Sequence, residues 1–233
     1  MSCLLGSGQT SRLAAQAEIT IQRHLHAMIF LETVRQPPHL VAMRNLDDTH
    51  HLDGKLLIAM PAMGDPRFER SVIYVCAHSA EGAMGLIVNK PSDDLRLDNL
   101  LDQLEIAKGP GARDLPVHFG GPVEHGRGFV LHDAGYRSAI STLEVTPEFS
   151  MTATMDILED LARGAGPRDV VLALGYAGWG PGQLEGEIAA NGWLVCDATR
   201  ELVFHTGDGQ KWEGALTSMG ISPLTLSADG GRA

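Results

Sequence analysis

Few of the residues that usually betray a chemistry occur here in a usable pattern. The three cysteines, Cys3, Cys76 and Cys196, are odd in number and far apart, and no Cys-x-x-Cys pair exists. A disulfide framework and a zinc knuckle are therefore poorly supported, and the pattern fits a reducing cytosol. The ten histidines form no His-Glu-x-x-His array, so neither a metal nor a cofactor is expected. No Gly-x-Ser-x-Gly elbow is present, and no catalytic residue is assigned. No uncharged apolar stretch approaches the ~18 residues of a membrane span. The early apolar residues are too interrupted for a secretory leader, which leaves a cytoplasmic protein as the expectation. Basic charge is also short: 18 Lys and Arg face 29 Asp and Glu, a net charge of -11. Such a surface repels phosphate backbones, so direct nucleic-acid binding is not expected. Aromatics make up only 5% of the chain, so the core has to be built mainly from aliphatics.

Apolar material is ample at 44% of 233 residues, enough for one large domain or two small ones. Residues 14–34 have helical spacing, which Pro37-Pro38 ends. Residues 1–42 read as an N-terminal extension that packs little against the rest, an early start codon being one origin. Residues 43–233 read as one domain with no linker inside it. Leu56–Met60 is a strand apolar on both faces. Asp65-Pro66 caps a short helical turn through Phe68. Ser71–His78 and Met84–Val88 form a hairpin. Leu95–Leu104 is an amphipathic helix. Strands follow at 117–119, 128–132 and 138–145. Thr152 or Thr154 starts a helix through Ala162, with Gly164 closing it. A strand at 169–174 feeds a glycine-rich turn and a helix over 181–190. Strands at 193–196 and 202–204 and a short helix past Trp212 complete the chain. Strands come in groups with few helices between them. That predicts an α+β fold: a single compact domain with a coiled mixed, mainly antiparallel sheet and several helices.

Three stretches carry candidate function. In the first, Asp65, Arg67, Glu69 and Arg70 cluster after the first strand. Opposite charges this close usually form solvated pairs, yet Arg70 at a strand entry can also hold a carboxylate or phosphate. Lys90, pushed into extended backbone by Pro91, is a candidate contact to the same ligand, and Arg127 between Gly126 and Gly128 is another. The second is the strand, glycine turn and helix start around Trp179, Gln183 and Glu185. This unit can bind an anion, but Glu185 and Glu187 already complement the helix dipole, and tight packing is the plainer reading. The third is Cys76 with His78. Alternation puts them on one strand face, as a nucleophile and its base would be, although Cys76 lies in an apolar run that raises a thiol's pKa. Asp65, Arg70, Lys90, Arg127, Trp179, Gln183 and Glu185 are the candidate ligand-binding set.

Several phrases also occur together: Leu57-Ile58-Ala59-Met60-Pro61, Asp65-Pro66-Arg67-Phe68, Arg70-Ser71-Val72-Ile73-Tyr74, Asn89-Lys90-Pro91, Gly120-Gly121-Pro122-Val123 and Gly175-Tyr176-Ala177-Gly178-Trp179. In this order they resemble the YqgE/AlgH family of bacterial proteins, from about residue 46 onward. The resemblance implies a compact α+β domain in a bacterial cytosol. One branch of the family is linked by name to transcriptional control of alginate production, and no catalytic residues are assigned to the family. Where the family has Cys-Glu-His-Asn, this chain reads Cys76-Ala77-His78-Ser79. Two readings follow. One is a non-catalytic regulatory or binding protein that acts through a protein or small-molecule partner. The other is an enzyme of unknown class with a cleft near the Trp179–Glu185 turn.

The charge balance makes a direct prediction. The helix over residues 95–104 carries one Arg beside Asp98 and Asp102, and the helix over 181–190 carries no Lys or Arg. Neither offers a basic row to a major groove. Fluorescence anisotropy with promoter duplex at ~150 mM salt should detect no binding. Sub-micromolar binding that weakens steeply with added salt is the opposite outcome.

Overall fold

A computed structural model describes residues 51–61, 63–223 and Leu226. The expected helix over 14–34 and the 1–42 extension lie outside the described residues. In chain order the elements are β1 (Lys55–Ala59), a 3-10 turn (Pro66–Phe68), β2 (Val72–Ser79), β3 (Gly82–Ile87), β4 (Pro91–Arg96) and α1 (Leu97–Gln103). Next come β5 (Pro116–Phe119), β6 (Val123–Asp133), β7 (Leu143–Glu144), β8 (Phe149–Thr152), α2 (Met155–Arg163) and β9 (Val170–Trp179). The last are α3 (Gln183–Ala189), β10 (Trp193–Asp197), a π-helical turn (Glu201–His205) and α4 (Asp208–Ser218).

All ten strands join one curled sheet in the order β10-β1-β2-β3-β9-β6-β8-β7, with β5 beside β9 and β4 beside β5. Every pairing is antiparallel except β5 with β9. The fold is thus the α+β single domain with a mixed, mainly antiparallel sheet that the strand grouping predicts.

Alternation along the strands explains why both faces are covered. Leu56, Ile58, Val72, Tyr74, Leu86 and Val88 point to one face, where they pack with Trp212, Ala215 and Leu216 of α4. Leu57, Ala59, Ile73, Val75 and Ile87 point to the other, beneath Leu184 of α3 and beside Trp179 and Trp193. Leu172 and Val130 meet α1 and α2 in a third core, with Leu100, Leu101, Ile157, Leu158 and Leu161. Each aliphatic side chain so removed from water contributes roughly 1.5–3 kcal/mol.

β9 is the axis of the sheet. Its first half lies between β5 and β6, and its second half pairs with β3. The change of partner falls at Gly175, in the left-handed region at φ 72°. A Cβ there would sit 2.5 Å from the Gly121 carbonyl oxygen and 2.9 Å from that of Val123. The Gly120–Gly121 backbone passes in that space, and the Gly120 N–H donates to the Leu174 carbonyl at 2.8 Å.

Several expectations need correction. The strand expected to end at 174 runs on to Trp179, because glycine at 175 lets it bend without leaving the sheet. Residues 202–204 are not a strand. Leu202 and Val203 are buried in a π-helical turn whose closing bond runs from the Thr206 N–H to the Glu201 carbonyl at 2.8 Å. A three-residue apolar run has no period with which to tell the two apart. Of 138–145 only Leu143–Glu144 is strand. In the rest, the Ser138 hydroxyl accepts the Ile140 and Ser141 N–H groups and the Asp156 carboxylate accepts that of Ala139, local bonds that compete with a ladder. β4 and β8 carry too little apolar pattern to be read beforehand, and β4 takes up Leu95, so α1 starts at Leu97. α3 starts at Gln183 rather than 181, and α4 starts at Asp208, ahead of Trp212. Thr154 does precede α2, and Gly164 does close it in the left-handed region.

Glycine substitutions test the account of β9. Gly175→Ala should lose ~2 kcal/mol or more in urea unfolding, from strain plus backbone collision. Gly186 of α3 has open space and no positive φ, so Gly186→Ala should gain about 0.5–1 kcal/mol.

Candidate functional site

Two chain crossings build a polar corner at the entry to β2. The Asp65 carboxylate accepts the Arg67 N–H at 2.9 Å and starts the 3-10 turn, with Pro66 following it. Arg67 folds back onto the same carboxylate, Nη2 to Oδ2 2.7 Å. The hydrogen bond from Arg67 holds the Asp65 carboxyl below its ordinary value. The turn ends at Arg70, whose φ of 51° is left-handed and strained for a residue with a side chain. Arg70 pairs with Glu213 of α4 at 2.8 Å, and its guanidinium carbon lies 4.4 Å from the Trp212 ring centroid. Next to it the Ser71 hydroxyl is fully buried and has no hydrogen-bond partner among the described residues.

The second crossing runs from Val88 to Lys90. The Val88 carbonyl accepts from Lys211 Nζ at 2.7 Å. Asn89 bridges the corner, its Oδ1 accepting the Val72 N–H at 2.8 Å and its Nδ2 donating to the Arg70 carbonyl at 2.9 Å. Lys90 Nζ donates to the Arg67 carbonyl at 2.7 Å. Burial pushes the Lys90 ammonium below its ordinary value, with Glu69 and Asp65 pulling the other way. Beneath lies a triad of two buried bases and a partly exposed carboxylate. Lys211, 3% exposed, holds Asp208 at 2.8 Å, and His118 Nε2 faces the same carboxylate oxygen at 3.2 Å. Burial alone would raise the Asp208 pKa, but the bonds from His118 and Lys211 outweigh it and leave the group at about 2. His118 and Asp208 are absent from the candidate set drawn from the sequence. Their one signal was the Asp208–Lys211 spacing at a helix start, with Lys211 on the apolar side beside Trp212.

The seven candidates fall into three groups that share no hydrogen bond or ion pair among the described residues. Asp65, Arg70 and Lys90 meet at this corner. Trp179, Gln183 and Glu185 gather around α3. There Glu187 Oε2 accepts both indole N–H groups, from Trp179 at 2.9 Å and Trp193 at 2.8 Å, and its Oε1 accepts from Gln183 at 2.9 Å. Gln183 in turn accepts the Gly180 N–H. His78 Nδ1 accepts the Leu52 N–H at 3.2 Å, and its Nε2–H donates to the Glu185 carboxylate at 2.9 Å. Arg127 stands apart, paired with Glu124 where β6 leaves its register between Val123 and Gly128.

Cys76 and His78 do not share a face. β2 pairs Val75 with Gly85 and then Ala77 with Met84, so Cys76 sits in a bulge and the alternation shifts by one. Cys76 therefore joins the α4-side core, whereas His78 faces α3.

The family model described as AlgH-like matches residues 56–224. The chain belongs to the AlgH-like family. A UPF0301 protein of Cereibacter sphaeroides is 58% identical over 182 residues, which is 78% of this chain and 99% of that protein. A UPF0301 protein of a Methylobacterium strain is 50% identical over 210 residues, 87% of this chain and all of the other. The solution structure of the AlgH protein from Pseudomonas aeruginosa superposes with a TM-score of 0.66 at 38% identity, covering 82% of this chain and all of that one. A Corynebacterium diphtheriae protein with a TM-score of 0.59 and 22% identity, covering 80% of this chain and 93% of its own, shares the fold. In this AlgH-like chain the phrases around Arg70 and Lys90 meet in space as the polar corner, although 20 residues of sequence separate them.

Burial raises the Cys76 thiol to about 12, helped by the nearby Asp53 carboxylate. A maleimide reagent at neutral pH should therefore label native Cys76 far more slowly than unfolded chain, by mass spectrometry of the peptide. Labelling at equal rates would contradict its burial.

Proposed function

We propose that this AlgH-like chain is a non-catalytic, cytoplasmic regulatory protein whose ligand or partner binds at the Arg70–Lys90 corner. Any effect on transcription then runs through that partner rather than through DNA. The supporting observation is the crowding of three irregularities onto four residues. Arg70 has left-handed backbone, Ser71 keeps a buried hydroxyl unpartnered among the described residues, and Lys90, next to the Asn89 bridge, carries a partly buried ammonium. Strain, an orphaned polar atom and a desolvated charge each cost stability, and they cluster where function requires them. The enzymatic reading centres on the Trp179–Glu185 turn, where the polar side chains are engaged with one another and with His78.

The test is a thermal-shift screen of small metabolites on the full chain. A ligand at about 100 times its Kd adds about 2.7 kcal/mol, which raises Tm by several degrees. The expected hit loses its effect in Arg70→Gly, a variant that removes the guanidinium and fits the left-handed backbone. A shift that survives Arg70→Gly would place the ligand elsewhere. Conversion of the hit, followed by NMR, would favour an enzyme.

A further inference from the structure

We propose that the corner is an oxyanion site, taking the phosphate or carboxylate group of a small ligand onto the Lys90 ammonium with Arg70 as the second cation. The inference rests on the reading of the corner as the ligand site and names the chemistry that site selects.

The argument starts from the four lysines of the chain, all of them among the described residues. Three are neutralised by carboxylates: Lys55 by Asp197 at 2.6 Å, Lys108 by Asp98 and Asp102, and Lys211 by Asp208. Lys90 is the exception. Among the described residues its one hydrogen bond goes to the Arg67 carbonyl, and no carboxylate oxygen lies within 4.0 Å. Acidic groups are not scarce, since the chain carries 29 of them against 18 bases. Two stand near enough to act on Lys90 through space, Glu69 and Asp65. Asp65 is committed to Arg67, which holds both its oxygens. Among the described residues, Lys90 thus makes direct contact with no carboxylate, and its one hydrogen bond to protein leaves further N–H donors for a ligand.

A neutral ligand would leave that ammonium without a direct anionic contact. An oxyanion fills those donors with charge-assisted bonds, roughly twice as strong as neutral ones. Arg70 is the natural second contact. Asn89, the residue before Lys90, holds the Arg70 carbonyl, so one side chain ties the backbones that carry the two cations. The Arg70–Glu213 pair has both side chains about half exposed, and such pairs contribute ~0–1 kcal/mol, so an incoming anion displaces Glu213 at little cost. Stacking on Trp212 keeps the guanidinium in place meanwhile. The net charge of -11 restricts the occupant to a small molecule, because a polyanion would meet repulsion from the rest of the surface.

The experiment is a 15N NMR titration of the full chain with inorganic phosphate and, separately, with malonate, at ionic strength held constant with sodium chloride. Saturable shifts are expected at the amides of Arg67, Arg70, Ser71 and Lys90. Lys90→Met should weaken binding about tenfold or more, Lys90→Arg should retain most of it, and Lys55→Met should leave it unchanged. A well-dispersed spectrum of Lys90→Met shows that the variant is folded. Saturation by phosphate alone assigns a phosphate ligand, and by malonate alone a carboxylate. Shifts that match those from chloride, or that persist in Lys90→Met, overturn the proposal. If both anions are silent while a neutral metabolite stabilises the chain in an Arg70-dependent way, the oxyanion class is overturned and the corner stands as a ligand site.

Discussion

The close passage of two glycine backbones holds this fold together. Gly120–Gly121 lies against Gly175–Tyr176 so tightly that a Cβ on Gly121 would come within 2.1 Å of the Tyr176 carbonyl carbon. Without side chains at this crossing, β9 can serve three neighbours along ten residues, trading β5 for β3 as it goes. The same crossing delivers the Ile87 N–H to the Gly120 carbonyl at 2.9 Å, just before Val88–Lys90. The polar corner is therefore anchored to the sheet axis through backbone bonds, and its geometry inherits the rigidity of the core.

Much of this was legible in the sequence where pattern and length agree. The apolar runs of β1, β2 and β3 are long, and both their parities are hydrophobic, so strands covered on two faces follow directly. The Asp65-Pro66 start and the Gly164 stop depend on single residues with strong local preferences, and they stand as expected. What was hidden depends on distant partners. Nothing within residues 170–179 tells that Gly175 bends inside a sheet rather than ending a strand, because the reason is the backbone of Gly121. β4 is a polar edge strand whose pairing to β5 involves only two registered positions, Pro91 with His118 and Arg96 with Pro116. The π-helical turn hides for the opposite reason: Leu202 and Val203 are buried whichever way the backbone winds.

The candidate set shows the same division. Asp65, Arg70 and Lys90 were found by charge near strand ends, and they meet. Trp179, Gln183 and Glu185 were found by a glycine-rich strand-to-helix pattern, and the hub there is Glu187, read beforehand only as a partner for the helix dipole. Cys76 and His78 failed as a pair because a single bulged residue reverses every inward and outward assignment after it. A bulge leaves no mark in a sequence beyond the registers of both neighbouring strands, which only the folded sheet supplies.

The placement of the three tryptophans gives the molecule two separate optical windows. Trp179 and Trp193 share one carboxylate and sit 6.0 Å apart edge to face, so their emission reports the seating of α3 as a coupled pair. Trp212 sits on the other face of the sheet, its indole N–H bound to the Ala59 carbonyl and its ring under the Arg70 guanidinium. A cation resting on an indole alters the charge around its excited state, so Trp212 is a built-in fluorophore for whatever engages that arginine. The native chain carries its own indicator for the corner, with no dye attached.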